Sequence, residues 1–279
     1  MNGCASAVRS KQMVKMVEPK NNNLSRFGFN FDPGSPHTKR TMMIRELQTL
    51  LGFATDPAAT ADDYYRLIVE ENCLGKLTGS NRKYTATYLK RLYGLDLSFT
   101  VFRSLRYFYD RDPDSLSLLG VICVYARDGL VRASFPYIRG LAVGMLSNKK
   151  QLEAFLDSQY PGRFGEKMIQ SLVRNLLSSW TQSGHLSGKT RKIRILATPT
   201  PAAVSYALLL GYLSGARGVI LFKTDYAQLL DCTFEKAIEL AEDASRRGWI
   251  IFKRVGNIIE VLFPNLINKD EMEWIREQS

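Results

Sequence analysis

The sequence predicts a mainly α, multi-helix protein with two helix-turn-helix-like modules, the C-terminal one winged by a β-hairpin. Three observations predict it. Beyond residue 38, apolar residues recur at spacings of three and four, as in Met43, Leu47, Leu50 and Leu51 or Tyr64, Tyr65, Ile68 and Val69, the mark of amphipathic helices. Two segments share the order helix, short turn, helix. The second runs into two β-rich stretches, 249–255 and 258–263, joined by Gly256-Asn257, a dipeptide that favours a tight hairpin.

Residues 1–38 are rich in Asn, Lys, Pro and Gly and end in the turn-forming run Asp32-Pro33-Gly34-Ser35-Pro36, which predicts a flexible basic arm. Its Met13, Val14, Met16 and Val17 are interrupted by Lys15 and make no secretory apolar core. An N-terminal helical domain, 39–145, and a C-terminal one, 146–279, are expected to follow. Helices are predicted at 62–71, 80–93, 98–110, 114–127, 130–141, 149–158, 165–180, 201–213, 219–230 and 234–247. Pro113 and Pro201 suit helix starts, where the missing N–H is not needed. In the first module, 62–71 leads through the 73–79 turn into 80–93, with Ser80 placed as the cap. In the second, 225–230 leads through Asp231-Cys232-Thr233 into 234–247. The most apolar stretch, 201–222, contains Arg217 and two central glycines. Its uninterrupted part, 202–213, falls short of the roughly 20 residues that a bilayer span needs, so it reads as core.

Composition narrows the function. The 279 residues include 38 Lys and Arg against 27 Asp and Glu, a net charge of +11, with 45% hydrophobic residues. That balance fits a folded protein with an anionic partner. Cys4, Cys73, Cys123 and Cys232 are widely spaced with no C-x-x-C pair, which argues against a disulfide scaffold or zinc finger and for a reducing, cytoplasmic setting. Only His37 and His185 are present, too few for a His-rich metal site. The phosphate-binding, dinucleotide, zinc-protease and nucleophile-elbow motifs are absent, and Ser183 beside His185 is no triad. The expectation is a non-enzymatic protein without metal or cofactor.

The cations then carry the reading. At about 100° per residue, helix 80–93 places Tyr84, Tyr88, Leu89 and Leu92 on one side and Lys83, Ala86, Thr87 and Lys90 on the other, with Arg82 and Arg91 flanking. Two cations, a hydroxyl and a small residue suit the major groove, which admits the second helix of such a module; a solvated helix face has the same composition. Lys189, Arg191, Lys192 and Arg194 form an acid-free cluster after the Gly-punctuated run 183–188, a basic loop or small hairpin able to track phosphates. His185 beside it reads as a hydrogen-bonded structural residue. Helix 234–247 buries Phe234, Ala237, Ile238, Ala241 and Ala244 and turns Glu235, Glu239, Glu242 and Asp243 outward, which repels phosphate. Arg246, Arg247, Lys253 and Arg254 suit a grip on the DNA backbone, and the first two serve equally well at the negative end of the helix dipole. This module therefore reads as either DNA- or protein-binding. Trp180, at helical spacing from Met168, Ile169, Leu172, Val173 and Leu176, belongs to a core stripe rather than a base-stacking platform.

Four stretches carry a family resemblance: Gly79-Ser80-Asn81-Arg82-Lys83-Tyr84, Tyr93-Gly94-Leu95-Asp96, the run 126–133 from Ala126 to Ala133, and the run 178–186 from Ser178 to Leu186. Together they resemble BrxA, the small non-enzymatic protein of BREX bacteriophage-defence systems, over roughly residues 40–265. The resemblance implies a bacterial, mostly helical protein that binds double-stranded DNA beside a methyltransferase, an ATPase and a phosphatase-like component. Carried over by position, the motif residues are Arg82, Lys83 and the Trp180 to Leu186 loop. The basic N-terminal arm departs from the pattern. The expected function is duplex-DNA binding in such a defence system; a protein-interaction scaffold and an RNA-binding factor are the alternatives.

Overall fold

The computed structural model describes residues 23–277, so Arg9, Lys11, Lys15, Lys20 and the rest of 1–22 lie outside the described residues. Two helices set the architecture. α5 (Leu116–Arg127) and α9 (Pro201–Leu213) are buried almost all round. A helix apolar on every side must be covered on every side, and neighbours drawn from both halves of the chain do this. α1 (Ile44–Phe53), α3 (Gly79–Tyr93), α4 (Thr100–Tyr109), α6 (Gly129–Gly140) and α8 (Glu166–Gln182) surround α5, while α4 also packs on α9 beside α10 (Asp225–Gln228) and α11 (Phe234–Arg246). α2 (Ala61–Val69) lies on α1 and α3, and α7 (Lys149–Gln159) on α6 and α8.

The structure is thus mainly helical, with an antiparallel hairpin of β3 (Ile251–Val255) and β4 (Ile258–Leu262) near the C-terminus, as the Gly-Asn signal predicts. A smaller hairpin pairs β1 (Leu186–Ser187) with β2 (Ile193–Arg194). Among the described residues no helix is long and apolar enough to cross a membrane.

Several expectations are corrected. The division at 145/146 does not separate two cores: one apolar cluster runs from Leu24 to Ile275, because α5 and α9 pack on each other. Residues 23–38 are not a free arm. Phe27 and Phe29 are buried, and Phe27 meets Trp274 of α12 (Lys269–Glu277) edge-on at 5.4 Å. α12 lies beyond the helices that the sequence predicts, and it is fixed by Glu271, 2.8 Å from Arg103 on α4. The expected helix 219–230 is a 3₁₀ turn, Gly218–Lys223, followed by α10, because Thr224 leaves helical geometry and its hydroxyl caps the new start at Ala227. Thr78, not Ser80, caps α3 by accepting from the Asn81 N–H at 3.2 Å. Gly120 lets the start of α1 approach α5: a Cβ there would clash with the Ile44 side chain.

Candidate nucleic-acid interface

The wall facing α3 is held by a buried polar network. Ser35 Oγ donates to Asp128 at 2.6 Å, His37 Nδ1 lies 2.9 Å from the same carboxylate, and His37 Nε2 lies 2.9 Å from Ser179 Oγ. Met42 N donates to Ser179 Oγ at 2.8 Å and Asn175 Nδ2 to the His37 carbonyl at 2.8 Å, so residues 35–42 are tied to α6 and α8. Asp128 is itself the N-cap of α6, accepting from Leu130 and Val131. Burial acts to raise its carboxyl pKa, but the His37 ring, the Ser35 hydroxyl and the Val131 N–H together outweigh burial and hold it below the ordinary range.

Ser179, His37 and Asp128 stand at the distances of a hydrolytic triad. Their setting is different. All three are buried, and Ser179 Oγ already donates to the Asn175 carbonyl and accepts from Met42, so its hydroxyl is committed within the core. The network works as a clamp on the backbone.

The clamp sets Lys39 and Arg40 beside α3. The Arg40 guanidinium lies 5.7 Å from the Tyr88 ring and 3.4 Å from Asn81 Oδ1. Towards the other end of α3, Arg91 rests against Gly34, where a Cβ would come within 2.7 Å of its Nη2. Arg163 donates to the Pro33 carbonyl and sits 5.0 and 5.2 Å from the rings of Tyr160 and Phe164. Two depressions result along α3. Lys39, Arg40, Tyr84 and Tyr88 line one, and Gly34, Thr38, Arg91, Arg163, Phe164 and Met168 are among those lining the other; no carboxylate lines either.

On α3 itself Lys83, Thr87 and Lys90 are exposed, and neither lysine has an acidic partner among the described residues. Two assignments exchange places. Ala86 is buried and Tyr84 is 61% exposed, because the small Ala86 fits under the helix with Leu89, Leu92 and Tyr93 while the Tyr84 ring turns to the first depression. Arg82 is corrected too: its Nη1 donates to the Val69 carbonyl at the end of α2 at 3.2 Å and its Nε is buried, so it braces one helix against the other. Arg91 remains at the second depression, half-buried.

The mid-chain cluster divides. Arg194 is 4% exposed and both terminal nitrogens lie 2.6 Å from Asp231, so it is a buried strut and not a phosphate contact. Lys192 donates to the Gly188 carbonyl at 2.8 Å, whereas Lys189 and Arg191 are exposed at the hairpin tip. The loop from Trp180 to Leu186 is mostly interior. Trp180 Nε1 donates to Ser134 at 2.9 Å, and His185 bridges Ser183 and the Leu229 carbonyl at 2.9 and 3.0 Å. Burial, with Arg194 nearby, pushes the His185 pKa down to about 4 despite the Asp231 charge.

In the C-terminal region, Glu235, Glu239 and Glu242 are exposed. Arg246 and Arg247 pair with Asp243 at 3.4 and 3.0 Å, Lys253 with Glu260 at 3.6 Å, and Arg254 folds back to the Gly256 carbonyl. These four cations are exposed, but Arg246 and Arg247 share the one Asp243 carboxylate and Lys253 faces Glu260, so two acidic groups offset part of the field they offer a phosphate backbone.

Lys39, Arg40, Tyr84 and Arg163 were missed as site residues. Lys39 and Arg40 sit just past a turn run, and Arg163 in the Pro161-Gly162 turn, with no periodicity that would link them to α3. No protein-family model matches the chain, and no curated protein matches it.

Proposed function

We propose that this protein is a non-enzymatic double-stranded-DNA-binding component of a bacterial anti-phage system of the BREX type, with α3 as the element presented to the duplex. The observation that carries the reading is the exposed face of Lys83, Thr87 and Lys90 beside two depressions, one lined by Lys39 and Arg40 and the other by Arg91 and Arg163, with no carboxylate in either. A helix face with two cations approaches base edges, and the flanking guanidinium groups meet the phosphates on either side. The resemblance to BrxA extends this to phage defence beside the other components of such a system.

On this reading α2, residues 70–78 and α3 form a helix-turn-helix. The connection exceeds the three or four residues of the simplest such turn, so the assignment rests on what α3 presents. α10, α11 and the β3–β4 wing make the second, winged module, and the outward Glu235, Glu239 and Glu242 favour a protein-facing role for it. The test is competition of labelled duplex DNA against unlabelled duplex and structured RNA at low and moderate salt. The reading expects duplex to win, since A-form RNA closes the major groove to side chains; equal or better competition by RNA overturns it.

A further inference from the structure

The β1–β2 hairpin belongs to a small three-stranded surface, not to an isolated finger. Residues 144–147 add to it through Gly144 N to the Arg194 carbonyl at 2.8 Å and Arg194 N to the Met145 carbonyl at 2.9 Å. This surface and its margins expose Val143, Met145, Leu146, Ile193, Ile195 and Leu196. Scattered apolar residues on a surface need no explanation, but a cluster on one small sheet marks an interaction site. Lys149, Lys150, Lys189, Arg191 and Lys192 fringe it. Partial burial and the nearby Lys149 charge lower the Lys192 pKa, a crowding that an acidic partner relieves.

The acidic complement lies next door on the same chain. Asp231 accepts from Arg194 and from the Ala197 N–H at 3.0 Å, which ties the base of this sheet to the residues just before α11. α11 exposes Phe234, Glu235, Glu239 and Glu242, and neither Glu235 nor Glu242 has a cationic partner among the described residues. An apolar patch with a basic rim thus adjoins a helix with an acidic face. Adjacent surfaces of opposite charge make a patch self-complementary about a two-fold axis, since each copy's basic side then meets the other's acidic side.

We propose that the occupant of this surface is a second copy of the chain, docked about a two-fold axis with the apolar sheet of each protomer against the start of α11 of its partner. Residues 1–22 are the other segment within reach of the argument, but Arg9, Lys11, Lys15 and Lys20 against the single Glu18 make them repelled by the basic rim. The inference stands apart from the DNA reading: it uses neither α3 nor the depressions beside it.

The test is a charge swap read by sedimentation velocity without DNA, over a concentration series at low and high salt. The native chain is expected to form a dimer and nothing larger. Lys149→Glu with Lys150→Glu, and separately Glu235→Lys with Glu242→Lys, should each weaken the dimer by about tenfold or more, because like charges then face each other at both symmetric contacts. Mixing the two variants restores opposite charges at both contacts and should restore the dimer, a rescue that misfolding cannot produce. A monomer throughout, an unaffected dimer in either variant, growth beyond two chains, or a mixture that stays monomeric overturns the proposal. Loss of the dimer on deleting residues 2–22 overturns it also, assigning association to that segment.

Discussion

His37 and Asp128, 91 positions apart in sequence, meet at 2.9 Å in a fully enclosed part of the core. The contact fixes where the chain runs between them and α3, and so where Lys39 and Arg40 stand. Removing one member of a buried, hydrogen-bonded pair leaves the other uncompensated, at a cost of about 3–5 kcal/mol. His37→Ala should therefore lower stability by about that amount in urea unfolding, and should weaken duplex binding when measured well below the unfolding transition. Unchanged stability would contradict the clamp.

Two buried groups, His185 and Asp128, give a pH dependence whose direction is fixed. His185 has a pKa of about 4 in the folded protein against about 6.5 in an unfolded chain, so the unfolded state takes up the proton first as pH falls. Stability is full above about 6.5 and falls between there and about 4, by about 3 kcal/mol at most. Asp128, held below the ordinary carboxylate range, adds a contribution present above about 4 that is lost as pH falls through its lower folded value. His185→Gln should flatten the urea-midpoint profile between about pH 6.5 and 4 while the steeper acid loss persists. A profile identical to the native one would refute the assignment.

Arg194 and its neighbours on the hairpin should separate in their effects. Arg194→Ala leaves Asp231 without its two 2.6 Å partners and should cost about 3 kcal/mol in stability. Lys189→Ala with Arg191→Ala should change stability by less than about 0.5 kcal/mol, as exposed residues do. Gly188→Ala should destabilise strongly, since φ is +95° and a Cβ would meet the Arg191 carbonyl oxygen at 2.1 Å. Differential scanning of the three variants checks the order.

Much of the fold is legible in sequence because helix existence depends on local periodicity. α9 begins and ends where Pro201 and the apolar run predict, and the Gly256-Asn257 turn places the β3–β4 hairpin. What was not legible depends on partners distant in the chain. Nothing local to Arg194 announces Asp231, and Arg82 reads as a surface cation until the Val69 carbonyl is placed beside it. The same limit applies to the candidate site: Lys83 and Lys90 follow from helical spacing, whereas Lys39, Arg40 and Arg163 reach α3 only through the His37 clamp and the Pro33 carbonyl. Hydrophobicity ranks the Tyr84 ring above Ala86 for the inward position, although the tight packing beneath α3 favours the smaller side chain.

Duplex binding by Lys83→Glu with Lys90→Glu, titrated over a range of salt concentrations, tests the central claim most directly. If α3 neutralises phosphates, the affinity drops markedly and the slope of log K against log salt flattens by about 2, near one per lost contact. An unchanged affinity and slope would contradict the account and remove α3 from the interface.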